Sequence, residues 1–563
     1  MSRQRRDRRV RSAVATTLAA VATTLAVVAT TLAAVATTLA VVILFVASLA
    51  PGLVASDSTL ALVRVPLECV LALATLILLP WRWARRTLAI LVALLLVLAT
   101  MVAALDRVFE ATVGRPFDVV SGWSELVDGY GVVRDSTGTA GAIGLLALVA
   151  LVAVGAVVAV AASLLRVARV LTRRRRPSLI AASAVTAGWL VLAIVGVQLV
   201  PGEPVAAADG LSAAASTVDQ VQVAARDQAV FDRAASSDPY AALPASDLLT
   251  GLKGKDVVIV FVESYGQVAV QGTSFSPGVD AVLRSGNAAL AAHGYTERSA
   301  FLTSSTFGGI SWLAHSTLQT GLWVDSQQRY DQVTAGTRFT LSDAFRKAGW
   351  RTLSDVPSDS KPWPVGSTFY HYEQELNATN VGYRGPIFSY AQVPDQYTLA
   401  YFQQHQLAGP HPPLMAEIDL VSSHTPWTPL PKLLPWDQLG DGSVFDPQPA
   451  EGLPPSVVWQ DPHHVQQLYG QSIEYTMGAL TSFLTTFDDP NLVLLVLGDH
   501  QPATVVSGPG ANHDVPISII AKDPAVTERI ASWGWQPGLL PSAGAPVWRM
   551  DAFRDRFLTA YGP

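Results

Sequence analysis

Asn491-Leu-Val-Leu-Leu-Val-Leu-Gly-Asp-His500 is the stretch whose reading decides the fold. The apolar run 492–497 does not alternate with polar residues, the pattern of a strand covered on both faces of a sheet. The run stops at Gly498, and a carboxylate and an imidazole follow at once, Asp499 and His500. In open α/β sheets, ligands gather at the carboxyl ends of the strands, where side chains leave the core. Asp499 and His500 are therefore candidate metal ligands. Taken alone, the pair also fits a polar turn after a core strand.

Other segments supply the company such a pair needs. Lys255-Asp256 introduces a second continuous apolar run, 257–262, and it too ends in a carboxylate, Glu263. A helix cap or solvated turn would explain one such acid, but a parallel sheet brings two strand ends together. A third segment, 303–311, reads Thr-Ser-Ser-Thr-Phe-Gly-Gly-Ile-Ser and precedes helical spacing over 312–321. Hydroxyls before a helix ordinarily cap it. A helix N-terminus also presents free N–H groups and a positive dipole end suited to phosphate, and a hydroxyl beside a divalent cation there can attack phosphorus. Two further segments deliver histidines, His424 after a strand-like run beginning at Glu417 and His513 in Asn512-His-Asp-Val-Pro516. His293, His315, His371, His405, His411, His463 and His464 read as surface or structural.

The chain has 563 residues and half are hydrophobic, which leaves room for several domains and implies a membrane part. A net charge of -6 with no basic stripe excludes a nucleic-acid partner. The single cysteine, Cys69, lies in an apolar run, excluding an intrachain disulfide framework and a Cys-based zinc site. Residues 1–12 form a basic tail with Arg3, Arg5, Arg6, Arg8, Arg9 and Arg11. From residue 13 to residue 50 the chain is apolar, and Val-Ala-Thr-Thr-Leu-Ala recurs every seven residues from Val14, Val21, Val28 and Val35. The unit is too small-residued and uncharged for a coiled coil, and fits a transmembrane helix packed through small residues. It is longer than the apolar core of a signal peptide. Further spans are predicted at about 59–79, 88–105, 140–165 and 179–200, so that 13–200 forms a membrane domain of five helices. Arginines precede the first span, lie between the second and third (Arg82, Arg85, Arg86) and between the fourth and fifth (Arg173, Arg174, Arg175, Arg176). All three clusters fall on one side, which places the N-terminus in the cytoplasm and everything after Val200 outside. Arg64 and Glu68 lie four apart in the second span, as a functional pair or an internal ion pair. Phe109, Phe117, Trp123 and Tyr130 mark a predicted outer loop lying on the membrane surface. Residues 201–252 read as a juxtamembrane linker, helical around 214–235, and 253–563 as an α/β domain with a mostly parallel central sheet.

Phe-Val-Glu-Ser at 261–264, Thr306 before Gly-Gly and a helix, Ser-Ser-His at 422–424, Gly-Asp-His at 498–500 and His-Asp-Val-Pro at 513–516 appear in that order behind five spans. Together they resemble the sulfatase-like branch of the alkaline phosphatase superfamily. Within it they look like the membrane phospho-alcohol transferases: lipoteichoic acid synthase, the glucan phosphoglycerol transferases and the lipid A phosphoethanolamine transferases. The resemblance implies that Glu263, Thr306, Asp499 and His500 hold one divalent metal, manganese or magnesium ahead of zinc, with Thr306 also the nucleophile. It implies that His424 and His513 contact the phosphate or protonate the leaving group. Lys361 and Trp363 fall where the lipoteichoic acid synthases grip the head group, although an arginine expected nearby is missing. Ser304 and Ser305 are rival nucleophiles. No Cys/Ser-x-Pro-x-Arg motif lies near Thr306, so sulfate ester hydrolysis is not expected. The implied reaction moves a phospho-alcohol such as glycerol phosphate from a membrane phospholipid to an envelope glycan or glycolipid through a phosphothreonine. A phosphodiesterase or phosphatase using the same site, or a catalytically inactive membrane scaffold, are the alternatives. The spans carry no paired repeats of the kind built into secondary transporters.

Overall fold

The computed structural model describes residues 2–56, 64–119, 122–200 and 203–563. The chain divides into two compact units, 1–108 with 116–223 and 109–115 with 224–563.

The first unit is built on α1 (Ser2–Ala55), α2 (Leu67–Leu78), α3 (Arg82–Val113), α4 (Trp123–Thr172) and α5 (Arg175–Val195). Four segments, Ala19–Ala55, Arg82–Thr112, Gly138–Thr172 and Arg175–Val195, are long and apolar enough to cross a membrane. The second predicted span differs. Its described helix is α2, whose 12 residues begin after Pro66; at about 1.5 Å per residue that is shorter than a hydrocarbon core of roughly 30 Å. Residues 59–63 of that span lie outside the described residues. Along α1 the repeated leucines Leu25, Leu32 and Leu39 all face outward. The hydroxyls of Thr23, Thr30 and Thr37 donate to carbonyls four residues back, which satisfies them within the helix on an apolar face. Helices of this unit meet through small residues such as Ala40, Ala72, Ala93 and Ala161.

Arg64 and Glu68 do not pair with each other. Arg64 Nη2 donates to Asp209 Oδ1 at 2.7 Å, and Glu68 Oε1 accepts from the N–H groups of Gly210 (2.9 Å) and Leu211 (3.3 Å). These groups open α6 (Asp209–Ala235), whose unsatisfied first-turn N–H groups attract a carboxylate. The pair is thus an anchor for α6, and that helix starts earlier than the sequence pattern predicts. The predicted aromatic loop is also shorter: Phe109 lies within α3, Trp123 and Tyr130 within α4, and Phe117 is buried edge-on against Trp123 at 5.3 Å.

The second unit contains a nine-stranded sheet. Its strands are β1 (Asp256–Val262), β2 (Thr296–Thr303), β3 (Arg351–Val356), β4 (Gln374–Asn377), β5 (Leu414–Leu420), β6 (Leu492–Gly498), β7 (Asp514–Ala521), β8 (Gln536–Pro537) and β9 (Val547–Arg549). The order is β8-β2-β7-β6-β1-β5-β3-β4, with β9 also beside β2. Strands β6, β1, β5, β3 and β4 run parallel, whereas β7 is antiparallel to both β6 and β2. The two reversals put β2 back in the direction of β6, with Asp514 paired to Thr303. The carboxyl ends of β1, β2, β5 and β6 and the amino end of β7 therefore share one edge.

The uninterrupted apolar runs follow from cover on both faces. Val257, Ile259 and Phe261 join a core with Leu313 and Leu318 of α8 (Ser311–Thr320). Val258, Val260 and Val262 join the opposite core with Val279 and Leu283 of α7 (Ser276–Ala292) and Ile473 and Leu480 of α9 (Pro462–Phe487). Each such side chain, fully buried, stabilises the fold by roughly 1.5–3 kcal/mol. Gly498 ends β6 for a steric reason: a Cβ there would lie 2.0 Å from the Tyr265 carbonyl oxygen. Only glycine lets the end of β6 approach the turn after β1 this closely.

Candidate active site

Parallel pairing of β1 with β6 aligns Val262 with Gly498, so the residues that follow emerge side by side. Glu263 is fixed by its N–H, which donates to Leu420 O at 3.0 Å, and by its carbonyl, which accepts from Ser423 Oγ at 2.6 Å. Ser264 turns the chain with φ 57° and donates its N–H to Asp499 Oδ1 at 2.7 Å, while its hydroxyl donates to Glu263 Oε1 at 2.8 Å. The His500 N–H donates to the same Asp499 Oδ1 at 2.7 Å. His500 Nδ1 lies 2.8 Å from Gln501 O, which makes Nδ1 the protonated nitrogen and leaves the Nε2 lone pair free.

That lone pair faces two carboxylate oxygens, Glu263 Oε1 at 3.5 Å and Asp499 Oδ2 at 3.4 Å. Both distances exceed the roughly 2.7–3.2 Å of an N–H···O hydrogen bond. They match two donors that each sit about 2.1 Å from one shared ion, which places donors roughly 3.0–3.5 Å apart. Glu263, Asp499 and His500 offer ligand atoms all within 4.8 Å of one another. The residues present thus fit a divalent cation. Burial and repulsion from Glu263 push Asp499 up to about 6. Glu263, despite its burial, is held below the usual carboxylate range by the imidazoles of His424 and His500.

Two hydroxyls compete at this edge. Ser311 opens α8, and its Oγ lies 3.2 Å from Glu263 Oε2 and 3.3 Å from His500 Nε2. Ile310 before it takes φ 66°, a left-handed conformation that is strained for a β-branched residue and is retained mainly where the site needs it. The first turn of α8 also adds its positive dipole end and free N–H groups. Thr306 is buried, and its Oγ1 has no hydrogen-bond partner among the described residues. A buried orphan hydroxyl of this kind is what a ligand to an ion would present. The rivals named from sequence are engaged elsewhere: Ser304 Oγ donates to Asp499 O at 2.5 Å, and Ser305 Oγ bonds Thr317 Oγ1 at 2.9 Å. Sequence reasoning passed over Ser311 because it looked for the nucleophile before the Gly308-Gly309 pair. The available signal was the place of Ser311 immediately before the helical spacing of 312–321.

His424 follows β5, stacks on Tyr390 with ring centroids 3.5 Å apart, and is close enough to Glu263 to hold its charge. His513 precedes β7; its carbonyl accepts the Ser304 N–H at 2.8 Å, its ring tilts against Phe307, and burial lowers its pKa. Trp363 packs at 5.4 Å from Tyr370 and 6.4 Å from Tyr372. Lys361 is exposed and makes no ion pair among the described residues. The fold thus gathers Glu263, Asp499, His500 and Ser311, with His424 beside them, and ties neither Lys361 nor Trp363 directly to that group.

One neighbour of the site titrates unusually. Both carboxylate oxygens of Asp355, near the end of β3, are buried without a partner among the described residues, and burial together with the charge of Asp419 pushes its pKa from 3.8 up to about 8. The folded chain therefore holds a proton that the unfolded chain releases, and stability falls as pH rises through that window. Asp355→Asn is expected to match the wild type near pH 4 in melting experiments with chelator, to gain stability up to about pH 8, and to hold that gain above it. The plateau is on the order of several kcal/mol; a pH-independent difference would contradict the assignment.

The fold and site together define an α/β domain with a candidate metal centre at the carboxyl edge of a mostly parallel sheet, carried behind apolar helices of membrane length. No family model and no curated protein matches the chain. Similar solved structures include the integral membrane lipooligosaccharide phosphoethanolamine transferase A from Neisseria meningitidis (12% identity, 88% of this chain and 95% of that chain, TM-score 0.41). They also include the lipoteichoic acid synthase LtaP from Listeria monocytogenes (13% identity, 56% and 73%, TM-score 0.33). A third is the zinc complex of the C-terminal periplasmic domain of EptC from Escherichia coli (14% identity, 57% and 86%, TM-score 0.38).

Proposed function

We propose that this chain is a membrane-tethered, metal-dependent phospho-alcohol transferase whose catalytic domain lies outside the cytoplasmic membrane. The observation that carries this reading is the meeting of Glu263, Asp499 and His500 with the Ser311 hydroxyl at the N-terminus of α8. With α2 counted as a fifth crossing, the three arginine clusters share the cytoplasmic side, and this supports the orientation.

A divalent cation held by Glu263, Asp499 and His500, with the buried Thr306 hydroxyl as a further donor, would supply positive charge to the attacking oxygen and to the phosphate oxygens. Manganese and magnesium suit the oxygen donors, and zinc suits the imidazole. Of the two hydroxyls, the contacts favour Ser311 over Thr306 as nucleophile. The Oγ of Ser311, its proton lost to solvent, forms a bond to the phosphorus of a phospholipid such as phosphatidylglycerol, and the bond from phosphorus to the diacylglycerol oxygen breaks. His424 or His513 gives a proton to that leaving oxygen. A hydroxyl of an envelope glycan or glycolipid then forms its own bond to phosphorus, the Ser311 Oγ–P bond breaks, and the other imidazole takes the acceptor's proton. The low pKa of His513 suits it to the second task. Lys361 and Trp363 are the residues proposed to reach the head group.

Full-length protein in detergent, incubated with phosphatidylglycerol labelled in its glycerol phosphate, is expected to release diacylglycerol and pass label to a glycolipid acceptor. Label found only in free glycerol phosphate would make the chain a phosphodiesterase, and no diacylglycerol release with any divalent metal would overturn the reading.

A further inference from the structure

Behind the first cluster lies a second. His315, one turn along α8 from Ser311, stacks on Phe261 with ring centroids 3.8 Å apart. Its Nδ1 faces Glu417 Oε1 at 3.4 Å and Asp419 Oδ1 at 3.6 Å, and the three residues offer ligand atoms within 4.8 Å of one another. Glu417 and Asp419 alternate along β5 and so point to the same face as Phe261, which pairs in register with Asp419. These N···O distances are again too long for hydrogen bonds and close to the spacing of donors around a shared cation.

An independent feature points into the same space. Ser354 pairs in register with Glu417 across β3 and β5, and therefore shares its face. It is 2% exposed, and its Oγ is buried without a hydrogen-bond partner among the described residues. The other oxygen of Glu417 is held by the Tyr372 hydroxyl at 2.9 Å and by Gln319 Nε2, which leaves Oε1 directed at His315. Charge gives a further reason. Glu263, Asp499, Glu417 and Asp419 are largely buried, and none forms an ion pair with lysine or arginine among the described residues. Buried carboxylates are ordinarily paired or coordinate metal ions, and a single dication would offset only half of these four.

We propose that His315, Glu417 and Asp419 bind a second divalent cation, of the manganese or zinc type that accepts one imidazole nitrogen with two carboxylates. This goes beyond the transferase reading, because it stands or fails on metal stoichiometry whatever the reaction. Full-length protein in detergent, stripped with chelator and dialysed first against Mn2+ and then against Zn2+, is assayed for bound metal per chain by mass spectrometry. The wild type is expected to retain two ions of at least one metal. Asp419→Asn and Asp499→Asn are each expected to retain one, and the double variant none. If Asp419→Asn does not fold, as judged by size exclusion and melting, Glu417→Gln takes its place. A wild type that retains one ion or none overturns the second site, as does a folded Asp419→Asn or Glu417→Gln variant that keeps two.

Discussion

Asp499→Asn is expected to abolish metal-dependent lipid turnover, by about 10³-fold or more, while leaving the fold intact. The carboxylate does two separable things. Its Oδ1 accepts the N–H groups of Ser264 and His500 at 2.7 Å each, and an asparagine oxygen can keep both bonds. Its Oδ2 faces His500 Nε2 at 3.4 Å, and there the substitution places an uncharged amino group that cannot ligate. A bound cation supplies several kcal/mol of charge stabilisation in such reactions, and each 1.4 kcal/mol is about tenfold in rate. The variant should melt no lower than the wild type in chelator and gain less stability than the wild type when metal is added, because the ion of this site no longer binds the folded chain. Turnover within about tenfold of wild type, with as many ions bound as in the wild type, would remove Glu263, Asp499 and His500 from the chemistry.

Ser311→Ala is expected to be as severe. Losing a covalent nucleophile costs on the order of 10⁴-fold or more in hydrolases that work through one. The side chain is small and stands at the start of a helix, where alanine is well tolerated, so the loss should come without a large change in melting. The decisive readout is peptide mapping of the trapped intermediate. With phosphatidylglycerol as donor, the wild type should carry a glycerol phosphate adduct on the peptide containing Ser311, Ser311→Ala should carry none, and Thr306→Ala should still form it, more slowly and with weaker metal retention. An adduct that maps to Thr306 and survives in Ser311→Ala would reverse the two roles and restore the assignment implied by the family resemblance.

Those outcomes separate what a linear reading can and cannot reach. Uninterrupted apolar runs ending in Glu263 and in Asp499-His500 are a local signature, because a strand covered on both faces has no polar position to alternate. The chain order alone therefore announced an α/β domain with acidic and imidazole residues at strand ends, and its apolar runs announced the helices of membrane length. Hydroxyl choice was not local. Ser304, Ser305, Thr306 and Ser311 are chemically near-equivalent in sequence, and they differ only in what the fold puts opposite each: the Asp499 carbonyl, the Thr317 hydroxyl, no partner, and the Glu263–His500 pair. Arg64 and Glu68 likewise look like each other's partners at helical spacing, yet their contacts are with Asp209 and Gly210, more than 140 residues away.

What the sequence determined by itself was the core strands at 257–262, 414–420 and 492–498, four of the five predicted apolar spans and the acid–imidazole residues at the strand ends, since periodicity and composition act over a few residues. What only the tertiary structure decided was which hydroxyl meets those ligands, and that His315, a residue read as structural, faces Glu417 and Asp419. Such juxtapositions depend on strand order and register, through which segments distant in the chain come within a few ångströms, and no local pattern encodes them.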